Sequence, residues 1–119
     1  MSNKILMVIK SPPYGNLMAA EGLRIATALI AMDLLPQLIF IDDGIYCLMK
    51  NHQPEKAGLI SFYDRLKTLS DLIGLCLAKD SIAKRGLKIL DLDKAFEVKS
   101  LSSTEVAEVF AENETVIAF

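Results

Sequence analysis

Two cysteines, Cys47 and Cys76, are the side chains of this sequence best suited to covalent chemistry. A cysteine is a strong nucleophile when it is partly exposed and a nearby cation or helix N-terminus lowers the pKa of its thiol. Cys76 lies between two leucines, where a buried and inert thiol is expected. Cys47 follows Asp42 and Asp43, whose negative charges oppose a thiolate. We expect structural roles for both thiols and keep both as candidate nucleophiles.

A metal site is not expected. The cysteines form no CxxC spacing, and the one histidine, His52, lies in a polar stretch without a partner ligand, so no zinc set is complete. Asp42, Asp43 and Gly44 follow an apolar run and could suggest magnesium or a phospho-acceptor pocket. Such a pocket also needs acidic residues after the first strand, where this chain has Ser11. A turn that leads into a helix is the simpler interpretation.

A proline-rich turn is the third feature that could bind a ligand. It consists of Ser11, Pro12, Pro13, Tyr14 and Gly15. It precedes a predicted helix N-terminus, so it could hold an anion. It lacks the glycine pattern of dinucleotide sites and the Lys-Ser/Thr pair of a P-loop, so no cofactor is expected. The alternative is a rigid turn that shapes the sheet edge or a subunit contact.

Alternating strands and helices position these residues. Apolar runs predict strands over 4–9, 38–41, 75–78, around 96–98 and over 115–119. Helices are predicted over 17–32 with Asn16 as N-cap, over 45–50, around 62–69 and over 81–85, the last with Asp80 as N-cap and Gly86 as C′ residue. A capping box, Ser102-Ser103-Thr104-Glu105, precedes a helix whose apolar face is Val106, Val109 and Phe110.

This alternation predicts an α/β fold. We expect one domain over residues 1–119, with a five-stranded, mainly parallel sheet and helices on both faces, in a flavodoxin-like layering. Sites in such folds lie beyond the carboxyl ends of the strands. The candidate site edge is therefore formed by the loops Ser11–Gly15 and Asp42–Gly44 and by Ala78, Lys79 and Asp80.

Composition narrows the function classes. The formal charge is −2 with no basic block, so direct nucleic-acid binding is not expected. No run approaches the ~20 apolar residues of a membrane span, and the first apolar run is too short for a signal peptide. Two free thiols suit the reducing cytoplasm. The hydrophobic fraction of 52% fits either a subunit interface or a sheet buried on both faces.

Four segments carry a family resemblance. They are 10–15 (KSPPYG), 40–46 (FIDDGIY), 79–87 (KDSIAKRGL) and 115–119 (TVIAF). In this order and spacing the chain resembles the DsrE/DsrF/TusC sulfur-relay family, and the DsrF and TusC branch in particular. The resemblance implies a subunit of a cytoplasmic sulfur-transfer complex with DsrE/TusD-like and DsrH/TusB-like partners. Such complexes serve tRNA 2-thiolation in the TusC case and sulfur oxidation in the DsrF case.

The resemblance also implies what this chain lacks. The persulfide cysteine of the DsrE/TusD branch precedes the helix that carries Arg-Gly, and the matching position here is Ala78. We therefore expect a structural and docking subunit that is not catalytic alone. One alternative is a sulfurtransferase that uses Cys47 or Cys76, with Lys84 and Arg85 lining a path for an anionic sulfur species. Another is a homo-oligomeric module that binds a small ligand.

Overall fold

The computed structural model of this chain describes residues 4–13, 17–49 and 59–119. These residues form a wholly parallel sheet, which confirms the predicted α/β fold. Its strands are β1 (Ile5–Ile9), β2 (Gln37–Phe40), β3 (Leu75–Ala78), β4 (Val98–Leu101) and β5 (Thr115–Ala118), in the spatial order β4-β3-β2-β1-β5. The helices are α1 (Met18–Ala31), α2 (Leu59–Leu72), α3 (Lys79–Lys84) and α4 (Ser103–Glu112), with short 3₁₀ helices at Asp42–Leu48 and Ile89–Asp91.

Side chains that alternate along β1 divide the core into two layers. Met7 and Ile9 are fully buried in a large cluster with residues of α1 and α2. Leu6 and Val8 point to the opposite face, where they pack with Ile39 under α4. Strands buried on both faces read as continuous apolar runs, which is why the sequence showed runs rather than alternation. The prediction of helices on both faces is confirmed.

Helix α4 begins as the sequence predicts. The Ser102 hydroxyl accepts a hydrogen bond from the Glu105 amide (3.3 Å), and the Glu105 carboxylate accepts one from the Ser102 amide (3.0 Å). This reciprocal capping box satisfies two amides that the first turn leaves without helical partners. The predicted apolar face of the helix, Val106, Val109 and Phe110, packs against the sheet.

The start of α3 differs from the prediction. Asp80 is not its N-cap, because the helix begins at Lys79 directly from the end of β3 and Ala78 is the N-cap residue, without a side-chain hydrogen bond. The end is as predicted: Gly86 has φ of 67°, and the Leu87 amide reaches back to the Ile82 carbonyl (3.1 Å). A left-handed residue after the last helical turn is most easily a glycine.

Two further boundaries differ. The helix predicted over 45–50 is a 3₁₀ helix that already begins at Asp42, within the predicted turn. Phe96 precedes β4 rather than belonging to it, although it is buried and its ring packs on Tyr63 with centroids 5.4 Å apart. The predicted Asn16 cap and the loop at His52 lie outside the described residues.

None of the helices within the described ranges has the length and apolar character needed to cross a membrane.

Candidate functional site

The carboxyl ends of neighbouring parallel strands meet at one edge of the sheet. The Ile41 amide after β2 donates to the Ile9 carbonyl at the end of β1 (3.0 Å), and the Lys10 amide donates to the Phe119 carbonyl beyond β5 (2.8 Å). Ser11, Pro12 and Pro13 follow β1 at this edge and are half-buried. Tyr14 and Gly15 of the same predicted loop lie outside the described residues.

The turn after β2 lies directly on the end of β1. A Cβ atom built on Gly44 would stand 1.9 Å from the Ile9 carbonyl oxygen, so the contact admits only hydrogen at this position. The Gly44 amide donates to the Ile41 carbonyl (2.8 Å), and Asp42 has φ of 49°, a left-handed conformation that aspartate tolerates. Gly44 thus fixes where the two aspartates stand relative to the first loop.

Helix α3 is tied to this turn by two contacts that join residues far apart in sequence. The Asp42 amide donates to the Ser81 hydroxyl (2.8 Å), and Ser81 is buried. The Arg85 Nε donates to the Asp43 carboxylate (2.9 Å), while a second guanidinium nitrogen donates to the Ser81 carbonyl (3.3 Å). The sequence suggested Arg85 as one lining of an anion path, and the structure pairs it with Asp43.

Asp42 and Asp43 have the surroundings of a turn and an ion pair rather than of a metal site. They lie exposed in the first turn of the 3₁₀ helix and do not cap it with their side chains. The structure describes no group of three or more His, Cys, Asp or Glu residues within its ranges that could hold a metal ion. The Asp43 carboxylate is engaged by Arg85, as expected for a structural ion pair between two elements.

Cys47 lies beneath the edge rather than at its surface. Its side chain is 2% exposed in the cluster formed with α1 and α2. Its sulfur lies 3.7 Å from the Ser11 carbonyl oxygen, within reach of a weak S–H donation that links the 3₁₀ helix to the first loop. Burial raises the pKa of the Cys47 thiol, so the neutral form is favoured.

Cys76 is buried on the opposite face of the sheet. It is 4% exposed under α4, and the Gln37 side-chain amide donates to its sulfur (3.5 Å). Burial raises the pKa of this thiol, while the Gln37 hydrogen bond and the Lys99 cation act in the other direction. Because Cys47 and Cys76 belong to separate layers of the core, the sheet stands between them and they do not form a pair.

Ala78 is the last residue of β3 and lies at the candidate site edge. It is buried, with 8% of its surface exposed, whereas the next two residues, Lys79 and Asp80, are exposed. Cys76 precedes it by two residues and therefore faces the same side of the strand, one step deeper in the sheet. The structure thus brings Ala78 and the Asp42–Gly44 turn to one edge, through Ser81. That this edge is a functional site stays a prediction.

One cavity lies between α1 and α2, away from this edge. It has a volume of about 180 Å³ and is lined by Thr27, Ile30, Arg65, Thr68, Leu69 and Leu72. Both threonine hydroxyls already donate to carbonyls of their own helices. Pockets for small ligands usually exceed about 300 Å³. This groove gives no support to the ligand-binding alternative.

The link between α3 and the β2 turn can be measured by Ser81→Ala. The substitution removes the acceptor of the Asp42 amide and is expected to lower the free energy of unfolding by about 1–2 kcal/mol, since a part-buried donor loses its partner. Urea denaturation followed by circular dichroism measures the change. Ser103→Ala, at an exposed position in the first turn of α4, is the matched control. Equal stability of the two variants would contradict a structural role for the hydrogen bond.

Comparisons with known proteins place the chain among homologous sequences. The sequence model of the DsrE/DsrF-like family matches residues 3–119. The chain is 28% identical to the intracellular sulfur oxidation protein DsrF of Allochromatium vinosum, over 98% of this chain and 96% of the relative. It is also 28% identical to a TusC homolog of Aliivibrio fischeri, over 98% and 99%. The structure of the E. coli ychN protein is similar with a TM-score of 0.78 at 24% identity, covering all of both chains, which supports the fold.

Proposed function

Since the chain belongs to the DsrE/DsrF-like family, we propose that it is a structural and docking subunit of a cytoplasmic sulfur-relay complex. Its similarity to DsrF and TusC proteins over nearly the whole length supports this class of function. Two observations support the structural role: both thiols are buried, and the last residue of β3, at the candidate site edge, is Ala78 rather than a cysteine.

Persulfide transfer sets requirements that these thiols do not meet. A thiolate attacks the outer sulfur of a donor persulfide, a new S–S bond forms to the acceptor, and the donor leaves as a thiolate. The acceptor must therefore be ionised and open to a second protein. Burial raises the pKa of Cys47 and of Cys76 and closes both to a donor. The same observations speak against the alternative of an independent sulfurtransferase.

A rigid edge suits a docking role. The contacts of Gly44, Ser81 and Arg85 hold the ends of β1, β2 and β3 in fixed relation. The exposed Lys79 and Asp80 stand beside Ala78 at this edge. We propose that a DsrE/TusD-like subunit docks here and that its own cysteine carries the sulfur. A DsrH/TusB-like subunit completes the assembly.

Co-purification and sulfur loading test the proposal together. The chain is co-expressed with DsrE/TusD-like and DsrH/TusB-like partners, and each purified protein is exposed to a persulfide donor. We expect a stable complex in which mass spectrometry finds the adduct of roughly 32 Da on the partner and none on this chain. An adduct on Cys47 or Cys76, lost on Cys→Ala substitution, would establish the sulfurtransferase alternative.

Charge reversal at the edge locates the docking surface. Lys79→Glu is expected to weaken partner binding by about tenfold or more, because rim charges steer and orient association. Lys4→Glu makes the same charge change at the opposite end of the sheet and is expected to leave binding unchanged. Equal affinities of the two variants, measured by calorimetry, would place docking elsewhere.

A further inference from the structure

Strand β5 is an edge strand with both faces open. All four of its residues are exposed, although the sequence Thr115–Ala118 is apolar after its first residue. Val116 and Ile117, 43% and 37% exposed, point to opposite faces. In β1, the strand that pairs with it, the residues in register from Leu6 to Val8 are fully or almost fully buried.

The free side of β5 presents unpaired backbone groups. The Thr115 amide donates to the Lys4 carbonyl (3.1 Å) and the Phe119 amide to the Val8 carbonyl (2.8 Å). In a parallel ladder, alternate residues bond to the same neighbour, so the odd-numbered residues of β5 are directed at β1. The amides and carbonyls of Val116 and Ala118 are therefore directed outward, where no strand of the described residues pairs with them.

The two edges of this sheet differ in protection. Proteins guard exposed edge strands with charged side chains, prolines or bulges. The opposite edge, β4, carries the exposed Lys99 beside Ser100. Residues 115–119 contain no charge, no proline and no glycine. An edge strand with apolar side chains on both faces of the sheet, and with no charged residue or proline to prevent pairing, is typical of a strand that pairs with another chain.

We propose that β5 pairs with β5 of a second copy of this chain, antiparallel and about a two-fold axis at Ile117. Val116 of one copy then lies opposite Ala118 of the other, and each such pair exchanges both of its outward amide–carbonyl hydrogen bonds. The two Ile117 side chains face each other in the central non-hydrogen-bonded pair. The product is one continuous sheet through both copies.

The sequence of β5 favours a second copy of this chain as the strand that pairs with it. Two-fold symmetry requires a self-complementary patch, and here a larger side chain at 116 meets a smaller one at 118. No like charges stand opposite each other, because Glu114 lies outside the paired segment in this register. Since all of β5 is exposed, no described residue covers the edge against the approaching strand.

Cysteine cross-linking tests the register with this chain alone. In Ile117→Cys the two new cysteines are directly opposed, with Cα atoms about 4.5 Å apart, within the range a disulfide spans. We expect covalent dimers under mild oxidation. Val116→Cys is the matched control on the same strand, since its two copies are about 8–9 Å apart in this register and cannot be bridged. Ser100→Cys tests the β4 edge and is expected to stay monomeric. The native thiols are buried and do not interfere.

Sedimentation of the unoxidised protein measures the pairing without a cross-link. We expect a monomer–dimer equilibrium in the wild type and a shift to monomer in Ile117→Lys, which places two cations opposite each other. Cross-linking of Ile117→Cys no faster than Ser100→Cys, or a wild type that stays monomeric at millimolar concentration, would overturn the proposal. Cross-linking only to an added DsrE/TusD-like subunit would also overturn it, while leaving the proposed sulfur-relay role intact.

Discussion

Gly44→Ala is expected to prevent folding, or to lower the free energy of unfolding by at least about 4 kcal/mol. The added Cβ would stand 1.9 Å from the Ile9 carbonyl oxygen and 2.6 Å from the Ile9 carbonyl carbon. Both atoms belong to the backbone of β1, which is bonded to strands on its two sides and has no room to retreat. The clash therefore cannot be relieved by a side-chain rotation. Thermal and urea unfolding measure the loss.

Gly74→Ala is the matched control for this substitution. A Cβ at position 74 meets no heavy atom within 4 Å, and the residue has no positive φ. Replacing a glycine by alanine at a compatible position is expected to be neutral or to stabilise by about 0.5 kcal/mol, through the lower entropy of the unfolded chain. A Gly44→Ala protein as stable as Gly74→Ala would show that the β2 turn does not depend on its close approach to β1.

Local sequence signals predicted most of the fold. The Ser102–Glu105 capping box and the Gly86 turn are confirmed because each is complete within a few consecutive residues. The strand over Leu75–Ala78 is confirmed to the residue because the whole segment is apolar and is followed by charged residues. The spatial order of the strands was not predicted, because it depends on which crossovers pass over which face.

The contacts that build the candidate site could not be predicted in the same way. Asp42 and Ser81, and likewise Asp43 and Arg85, are about forty residues apart, and neither pair has a local pattern. Asp80 matched the preferred residue type for an N-cap. The strand instead leads directly into the helix, so tertiary structure overrides the local preference.

Structural roles were expected for the two thiols on different grounds. Cys76 was assigned to the core because both its neighbours are leucines, and the structure places it there. For Cys47 the sequence predicted that the negative charges of two nearby aspartates oppose the thiolate. The structure gives a different reason for the neutral thiol. The structure shows a side chain inside the main cluster, where burial rather than charge raises the pKa of the thiol. The sequence did not predict that the two cysteines would lie on opposite faces of the sheet.

A pH titration of stability tests the buried state of Cys47 directly. The thiol in the unfolded chain ionises near pH 8.5, whereas burial raises the pKa of Cys47 in the folded protein well above that value. Between these two values the folded state binds a proton that the unfolded state has lost. Its contribution is therefore fully present below about pH 8.5 and falls by about 1.4 kcal/mol per pH unit above it. We expect a loss of about 2–3 kcal/mol between pH 8.5 and 10.5 from this group.

Cys47→Ala isolates that contribution from the other groups that titrate in alkali. The variant is expected to start less stable at pH 7, because truncation leaves a small cavity, and then to lose less stability than the wild type up to pH 10.5. Cys76→Ala is expected to reduce the alkaline loss of stability by less than Cys47→Ala does. The reason is that Gln37 and Lys99 oppose the effect of burial on the pKa of the Cys76 thiol. Parallel urea-stability curves for Cys47→Ala and wild type would mean that Cys47 ionises as freely in the folded chain as in the unfolded one. A thiol of that kind would meet one of the two requirements for accepting a persulfide, ionisation and access to the donor, so the same measurement tests whether Cys47 is held in its neutral form or is available as a thiolate.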